Sequence, residues 1–301
     1  KKDVNINRRT IKETPGYRVI ESSLNAYSQH PHIHLIDMPF RMTSTWQERG
    51  CKFGIWEEKT DVLAWAVYQP AWQNIDYAIH SSESDSTLEK DVLAWGKEQV
   101  ETYAKATGET TFGYVEFFED TPNFDLTLNY LREIGFDKVE ESTFRYKLDL
   151  QRSHPRYQLP DGFIIRPARG RQEIQSYVHL VNTVFSPSWM TKSWRRLILD
   201  HPNYLRELDL VVENSETELV GFCSSWLWHN IGQIEPLGIH PNYRGLGLGR
   251  ALELAIFDAM QRRGVQFLYI DHGSTNEKAI GLSRKNSFCK YKTILRYAIK
   301  C

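Results

Sequence analysis

The sequence predicts an α/β chain of two similar domains, each a sheet flanked by helices. Three observations carry that reading. Near the C-terminus an apolar strand (231–239), a glycine-rich turn and an amphipathic segment (251–263) follow one another. Two stretches, 51–148 and 163–299, run through a similar order of strand and helix patterns. Between them Gln151 to Gly162, polar and broken by Pro155 and Pro160, reads as a linker. The predicted domains are residues 1–155 and 156–301.

Residues 1–50 carry the weakest pattern, and Met38 to Arg41 reads as extended. Cys51 to Glu57 and Val62 to Gln69 form a hairpin around Glu58 to Asp61, and Asn74 to His80 a strand. Thr87 to Ala106 is a long helix and Thr111 to Phe118 a strand. Phe124 to Ile134 is a helix stopped by Gly135, a residue suited to the left-handed turn that ends helices. Lys138 to Leu148 is a strand. In the second half Phe163 to Ala168 is a short strand. Arg171 to Phe185 is a helix with Ile174, Val178, Val181 and Phe185 on one face, and Ser188 to Asp200 is a second helix. Leu208 to Glu213 and Leu219 to His229 form a hairpin around Asn214 to Thr217. After the strand–turn–helix come a strand (Val265 to Asp271), a helix (Asn276 to Asn286) and a last strand (Tyr291 to Ile299).

The chain has 301 residues, 41% hydrophobic and 25% charged, enough for packed cores. The longest apolar run, Val62 to Tyr68, is far short of a membrane span. No signal-peptide pattern is seen. Cys51, Cys223, Cys289 and Cys301 lack metal-ligand spacing and read as reduced thiols of a cytoplasmic protein. His30, His32 and His34 read as loop residues, so no metal is expected. Residues 1–155 hold 18 Lys and Arg against 25 Asp and Glu, a net of −7; the remainder holds 19 against 13, a net of +6. A basic half suits an anionic ligand. The acidic half either attracts a cation, docks on the basic one or is simply solvated. Neither half has the basic stripe of a nucleic-acid binder.

The turn reads Arg244-Gly245-Leu246-Gly247-Leu248-Gly249-Arg250. It presents backbone N–H groups at a helix N-terminus, a natural anion site. Its glycines keep Cβ atoms out of a phosphate's way, and two arginines flank it. The dinucleotide pattern G-x-G-x-x-G fails, because Arg250 or Leu252 occupies the last place, and the chain contains no Gly-Lys-Ser or Gly-Lys-Thr. R-x-x-G-x-G does fit, as Arg244, Gly247 and Gly249. This resembles the pyrophosphate loop of the GNAT superfamily, the acyl-CoA-dependent N-acyltransferases. Ile234 to Pro241 resembles that family's fourth strand, and Asn276-x-x-Ala279-x-x-Leu282 with Phe288 its second CoA-side motif.

The resemblance implies a mixed, mostly antiparallel twisted sheet in each domain and acetyl-CoA as co-substrate. It implies contacts to CoA from Leu237, Gly238 and Ile239, from Arg244 through Arg250, and from Asn276 and Ala279. An amine is acetylated directly in a ternary complex; a small molecule is favoured over a protein acceptor. No membrane or nucleic-acid partner is expected, and a monomer or homodimer is expected. The backbone N–H of Leu237 or a neighbour would polarise the thioester. Glu235 is the candidate general base, expected to share a strand face with Leu237 and Ile239, or else an anchor for the substrate ammonium. His240 is the weaker candidate and reads as a turn residue. Where many members place a tyrosine near the CoA sulfur, this chain has Ser283, and Tyr269 or a water would replace that phenol. Phe185, Trp189, Trp226 and Trp228 are candidate acceptor-binding aromatics, with core packing as the alternative. The first half has no glycine turn after His80, only Ser81-Ser82-Glu83-Ser84-Asp85-Ser86. It reads as a degenerate GNAT-like domain without CoA, or as an unrelated α/β domain. A CoA-binding sensor with vestigial catalysis is the rival to an enzyme.

Overall fold

A computed structural model describes residues 7–11, 33–44, 52–59, 61–79, 86–121, 124–186 and 189–301. Cys51, His30, His32, Ser188 and the 81–85 segment lie outside the described residues. In chain order, β1 is Asn7–Ile11 and α1 is Met38–Thr43. Then come β2 (Lys52–Glu58), β3 (Asp61–Gln69), β4 (Asn74–Ile79), α2 (Ser86–Thr107) and β5 (Phe112–Phe118). They are followed by α3 (Phe124–Glu133), β6 (Asp137–Lys138) and β7 (Thr143–Asp149). The second half holds β8 (Phe163–Pro167), α4 (Ile174–Val184), α5 (Lys192–Asp200), β9 (Asp209–Asn214) and β10 (Leu219–Trp228). It ends with β11 (Ile231–Ile239), α6 (Leu248–Arg262), β12 (Phe267–Gly273), α7 (Glu277–Lys285) and β13 (Cys289–Lys300).

The chain divides into two compact units that do not follow the linear boundary at 155/156. One holds residues 1–35, 45–143 and 293–301, the other 36–44 and 144–292. In the first unit the strand order is β1-β2-β3-β4-β5-β13, antiparallel except for β4 beside β5. Its last strand is the C-terminal part of β13, where Ile294 to Lys300 pair with Phe118 to Phe112. In the second unit the order is β7-β12-β11-β10-β9-β8, with β11 and β12 parallel. The final strand of each linear half thus completes the unit built mainly from the other half. Local patterning predicts that a strand exists but not which edge it joins.

The reading of Met38 to Arg41 as extended is corrected: these residues open helix α1, whose six residues are all buried in the second unit. Proline in a first helical turn costs no hydrogen bond, which lets Pro39 sit there. In the second unit α6 packs its apolar stripe, including Leu252, Ile256, Phe257 and Met260, against Val212, Val220, Ile234 and Leu268 of the sheet. That packing fixes where the N-terminus of α6 stands relative to β11.

Candidate active site

The glycine turn leaves β11 through a short 3-10 turn, Pro241–Tyr243. His240 is a structural member of it: Nδ1 accepts from the Asn242 N–H at 3.2 Å. Gly245 and Gly247 stand at φ +83° and +81°, the left-handed region, and a Cβ added to either would meet no protein atom within 4 Å. The glycines are there for backbone conformation, and the space above them is open. Gly249 serves packing instead, since its Cβ would come to 3.3 Å of Leu282. The first helical bond of α6 runs from Ala251 N–H to Gly247 O at 3.0 Å. The amides of Leu248, Gly249 and Arg250 precede it and lack intrahelical acceptors. Arg244 is exposed and donates from Nε to Ile239 O at 3.1 Å, and Arg250 Nε donates to Asn286 Oδ1 at 3.0 Å. Exposed amides, the positive helix end and two arginines around an open surface fit a phosphate group.

Just before the turn the sheet opens. β11 pairs with β12 from Ile231 to Ile234 and no further, although both strands continue. On its other edge β11 stays paired with β10 to Ile239. The His240 N–H donates to Val220 O, which sets the phase of that ladder. By antiparallel alternation Leu237 and Ile239 turn their N–H and C=O groups away from β10, toward the edge β12 has left. The gap therefore has a main-chain donor at Leu237.

Glu235 sits where the β10–β11 register shifts. Cys223 faces Leu237 and Ser225 faces Ile234, so Glu235 and Pro236 together oppose Ser224. Ile234, not Glu235, joins Leu237 and Ile239 on the face packed toward α6. The shared face expected from alternation is thus corrected by a bulge, which re-aims the extra residue. Glu235 is half-buried, and its main-chain carbonyl accepts from Trp226 Nε1 at 3.0 Å. Cys223, on the packed face, is fully buried, and burial pushes its thiol well up.

Phe185, Trp189 and Trp226 come together, through residues the sequence reading undervalued. Phe185 lies 4.7 Å from Trp189, and Trp189 lies 5.1 Å from Trp194. Phe40 of α1 is 5.1 Å from Trp194 and 6.2 Å from Trp226, and Thr43 accepts from Trp194 Nε1 at 3.2 Å. Trp226 is 2% exposed, whereas Phe185 is 42% exposed and forms the accessible wall. Trp228 stands apart, with its ring against His229 at the hairpin end. Gly238 has a packing role, since a Cβ there would strike Phe222 and Val184 at 2.6 Å.

Ser283 is fully buried, its Oγ 2.8 Å from His272 Nε2 and 3.5 Å from Glu253 Oε1. Burial lowers His272 to about 4 and raises Glu253 to about 7. Tyr269 is not brought to Ser283. It lies on the opposite face of β12 from His272, its ring near Arg145 and Tyr291. Arg145 itself holds Asp271 bidentately at 2.8 and 2.6 Å. Asn276 caps α7, its Oδ1 accepting from Ala279 N–H at 3.2 Å. Glu253 was missed although it carried a signal: a carboxylate on the apolar stripe of α6, between Arg250 and Phe257. Phe40 carried none, because six helical residues show no periodicity. Among the described residues no group of three or more His, Cys, Asp or Glu is placed to hold a metal ion.

A glycine turn on an opened β11–β12 pair can be compared with known proteins. The family model "Acetyltransferase (GNAT) family" matches residues 174–288, which run from the start of α4 to the residue before β13. Residues 174–288 thus match the GNAT acetyltransferase family. The chain is 27% identical over 187 residues to a mycothiol acetyltransferase of Paenarthrobacter aurescens (strain TC1), covering 58% of this chain and 57% of that protein. The chain thus spans a little over half the length of that relative. A solved tandem GNAT protein from the clavulanic acid biosynthesis pathway, without AcCoA, superposes with a TM-score of 0.72 at 12% identity, covering 98% of each chain. A GCN5-related N-acetyltransferase from Sphaerobacter thermophilus gives 0.67 at 16% identity, covering 97% of this chain and 95% of that one. At these identities the two structures show likeness of fold alone.

Proposed function

We propose that the second unit transfers the acetyl group of acetyl-CoA to an amine, directly, in a ternary complex. The observation that carries this is the opened β11–β12 edge running straight into the amide-lined turn. An acyl-CoA laid along it meets donors for its pyrophosphate at Gly245 to Arg250 and a donor for its thioester carbonyl at the Leu237 N–H. Gly238 and Ile239 shape the same edge, and Asn276 and Ala279 open the helix on its far side. Glu235, re-aimed by the bulge, is the base that takes the amine's proton, directly or through a water. The acceptor is a small amine with an apolar or aryl portion lying against Phe185 and Trp189, with Trp226 and Phe40 holding those rings from behind. The first unit is a degenerate copy that does not bind CoA: the sequence from His80 to Asp85, where a phosphate turn would follow β4, contains no glycine and two carboxylates. The test is release of CoA from acetyl-CoA against a panel of alkyl, aryl-alkyl and polyamine acceptors. Turnover with an aryl-alkyl amine supports the reading. CoA binding with no release from any amine supports a CoA sensor instead.

A further inference from the structure

When the acyl–sulfur bond breaks, the sulfur keeps the electron pair and needs a proton. A serine hydroxyl alone is a poor acid for that task, so Ser283 in place of a phenol leaves the step without a donor. The side chains around Ser283 supply one. Its Oγ touches His272 Nε2 at 2.8 Å and stands 3.5 Å from Glu253 Oε1. Asn286 Nδ2 donates to Glu253 Oε2 at 2.6 Å, and Asn286 Oδ1 accepts from Arg250 Nε. Glu253, Ser283, Asn286 and His272 are each 9% exposed or less. The chain of contacts runs from the glycine turn to β12. His272 lies there two residues beyond Ile270, the last residue of β12 paired with β11. Ser283 is wholly covered and can only be an interior link. His272, at 9%, is the least covered of these four and stands on the part of β12 that no longer pairs with β11.

We propose that Glu253, Ser283 and His272 form a buried proton relay to the departing CoA thiolate, with His272 as the group that meets the sulfur. This rests on the acetyltransferase reading above. The Glu253 carboxyl proton moves to Ser283 Oγ, the Ser283 hydroxyl proton to His272 Nε2, and the His272 Nδ1 proton to sulfur. Serine and histidine end neutral, the histidine with its proton moved from Nδ1 to Nε2. Glu253 ends as a carboxylate, and CoA leaves as the thiol. A proton taken from water at Nδ1 then runs the chain backwards and restores it.

The surroundings suit each part. Burial raises Glu253 to about 7, so it holds a proton near neutrality, and a carboxyl at that value is a stronger acid than an ordinary thiol at about 8.5. Burial keeps His272 neutral, and only a neutral imidazole can pass a proton in at one nitrogen and out at the other. Facing the network are Cys223 of β10, whose thiol burial keeps protonated, and the Tyr146 ring of β7, 5.6 Å from His272. Asp271, next to His272, is held by Arg145, and Arg250 reaches Glu253 only through Asn286. Glu253 is the proton-storing residue and Ser283 the link; neither touches the reacting atoms.

The experiment is single-turnover CoA release, read by chromatography between pH 6 and 9, with the fastest amine of the panel. The wild-type rate should fall on the alkaline side, above the value Glu253 takes in the CoA complex, as Glu253 ionises. In Glu253→Gln, which keeps the shape and the Asn286 contact, that limb should vanish and the rate at pH 6.5 should drop about tenfold. Ser283→Ala should do the same with Glu253 in place. CoA affinity should stay within about twofold in both, since neither residue touches the cofactor. A full rate, or a lower rate with the limb intact, overturns the relay and leaves a packing role. Calorimetry of CoA binding at pH 7, in buffers of different ionisation enthalpy, needs no acceptor. CoA seated against His272 excludes water from this end of the site and should raise Glu253; a rise of about one unit makes the wild type take up about 0.4 proton that Glu253→Gln does not. Equal uptake overturns the proposal. If the wild type fails to release CoA with every amine of the panel, the acetyltransferase reading fails by itself, and proton uptake still decides whether Glu253 titrates on binding.

Discussion

Gly247→Ala separates what the turn does for the fold from what it does for a ligand. The residue stands at φ +81°, and an added methyl meets no protein atom within 4 Å. The cost to the fold is then the left-handed conformation alone, about 1–2 kcal/mol. The cost to CoA is additional. The methyl enters the open surface above the first amides of α6, and relaxing φ would tilt those amides. Losing one hydrogen bond to a charged phosphate weakens binding by roughly 1.5–3 kcal/mol, about ten- to a hundredfold in Kd. Gly264, just beyond the other end of α6, is the control. Its φ is +74° and its Cβ would also meet nothing within 4 Å. Gly264→Ala should lower stability by a similar amount and leave CoA affinity unchanged. Calorimetric titration of CoA with thermal unfolding of both variants is the assay. Equal CoA affinity in the two variants would refute the placement of the pyrophosphate.

Glu235→Gln should lower kcat by ~10²-fold or more with CoA affinity nearly unchanged; a raised acceptor KM at normal kcat would make Glu235 an ammonium anchor. Phe40→Ala should cost about 3–5 kcal/mol by emptying a site packed between three tryptophans, read by denaturant unfolding; a loss under 1 kcal/mol would place α1 elsewhere. Residues 156–301 alone lack β7 and α1, so that fragment should unfold well below the full chain, and equal melting would contradict the unit division. Burial lowers His201 and His272 from 6.5 to about 4, so the stability of their neutral forms is present above pH 6.5 and lost as pH falls toward 4. Glu253, raised from 4.5 to about 7, acts oppositely, its contribution being lost as pH rises from 4.5 to 7. Between pH 4.5 and 6.5 stability should therefore fall toward acid by roughly 1.4 kcal/mol per unit, and His201→Gln should flatten that slope. An unchanged slope in unfolding measurements would contradict the burial of His201.

The turn, its strand and its helix were legible because each follows a local rule: apolar runs, glycines where φ is positive, an amphipathic stripe. Placing Glu235 on one face with Leu237 failed for a local reason too, a bulge that alternation does not anticipate. The exchange of final strands was not legible, because β7 and β13 carry ordinary strand patterns and partner choice is a tertiary decision. Ser283 was noticed as a departure, but its meaning lies in Glu253 and His272, which sit 30 and 11 residues away in sequence and meet it only after α6, β12 and α7 have packed.

The central claim is that acyl-CoA lies along the opened edge of β11. A crystal structure with acetyl-CoA tests it most directly. The pyrophosphate oxygens should lie ~3 Å from amides within Gly245 to Arg250, and the thioester carbonyl ~3 Å from the Leu237 N–H, between β11 and β12. CoA bound in the first unit, or in the second unit away from this edge, would contradict the account.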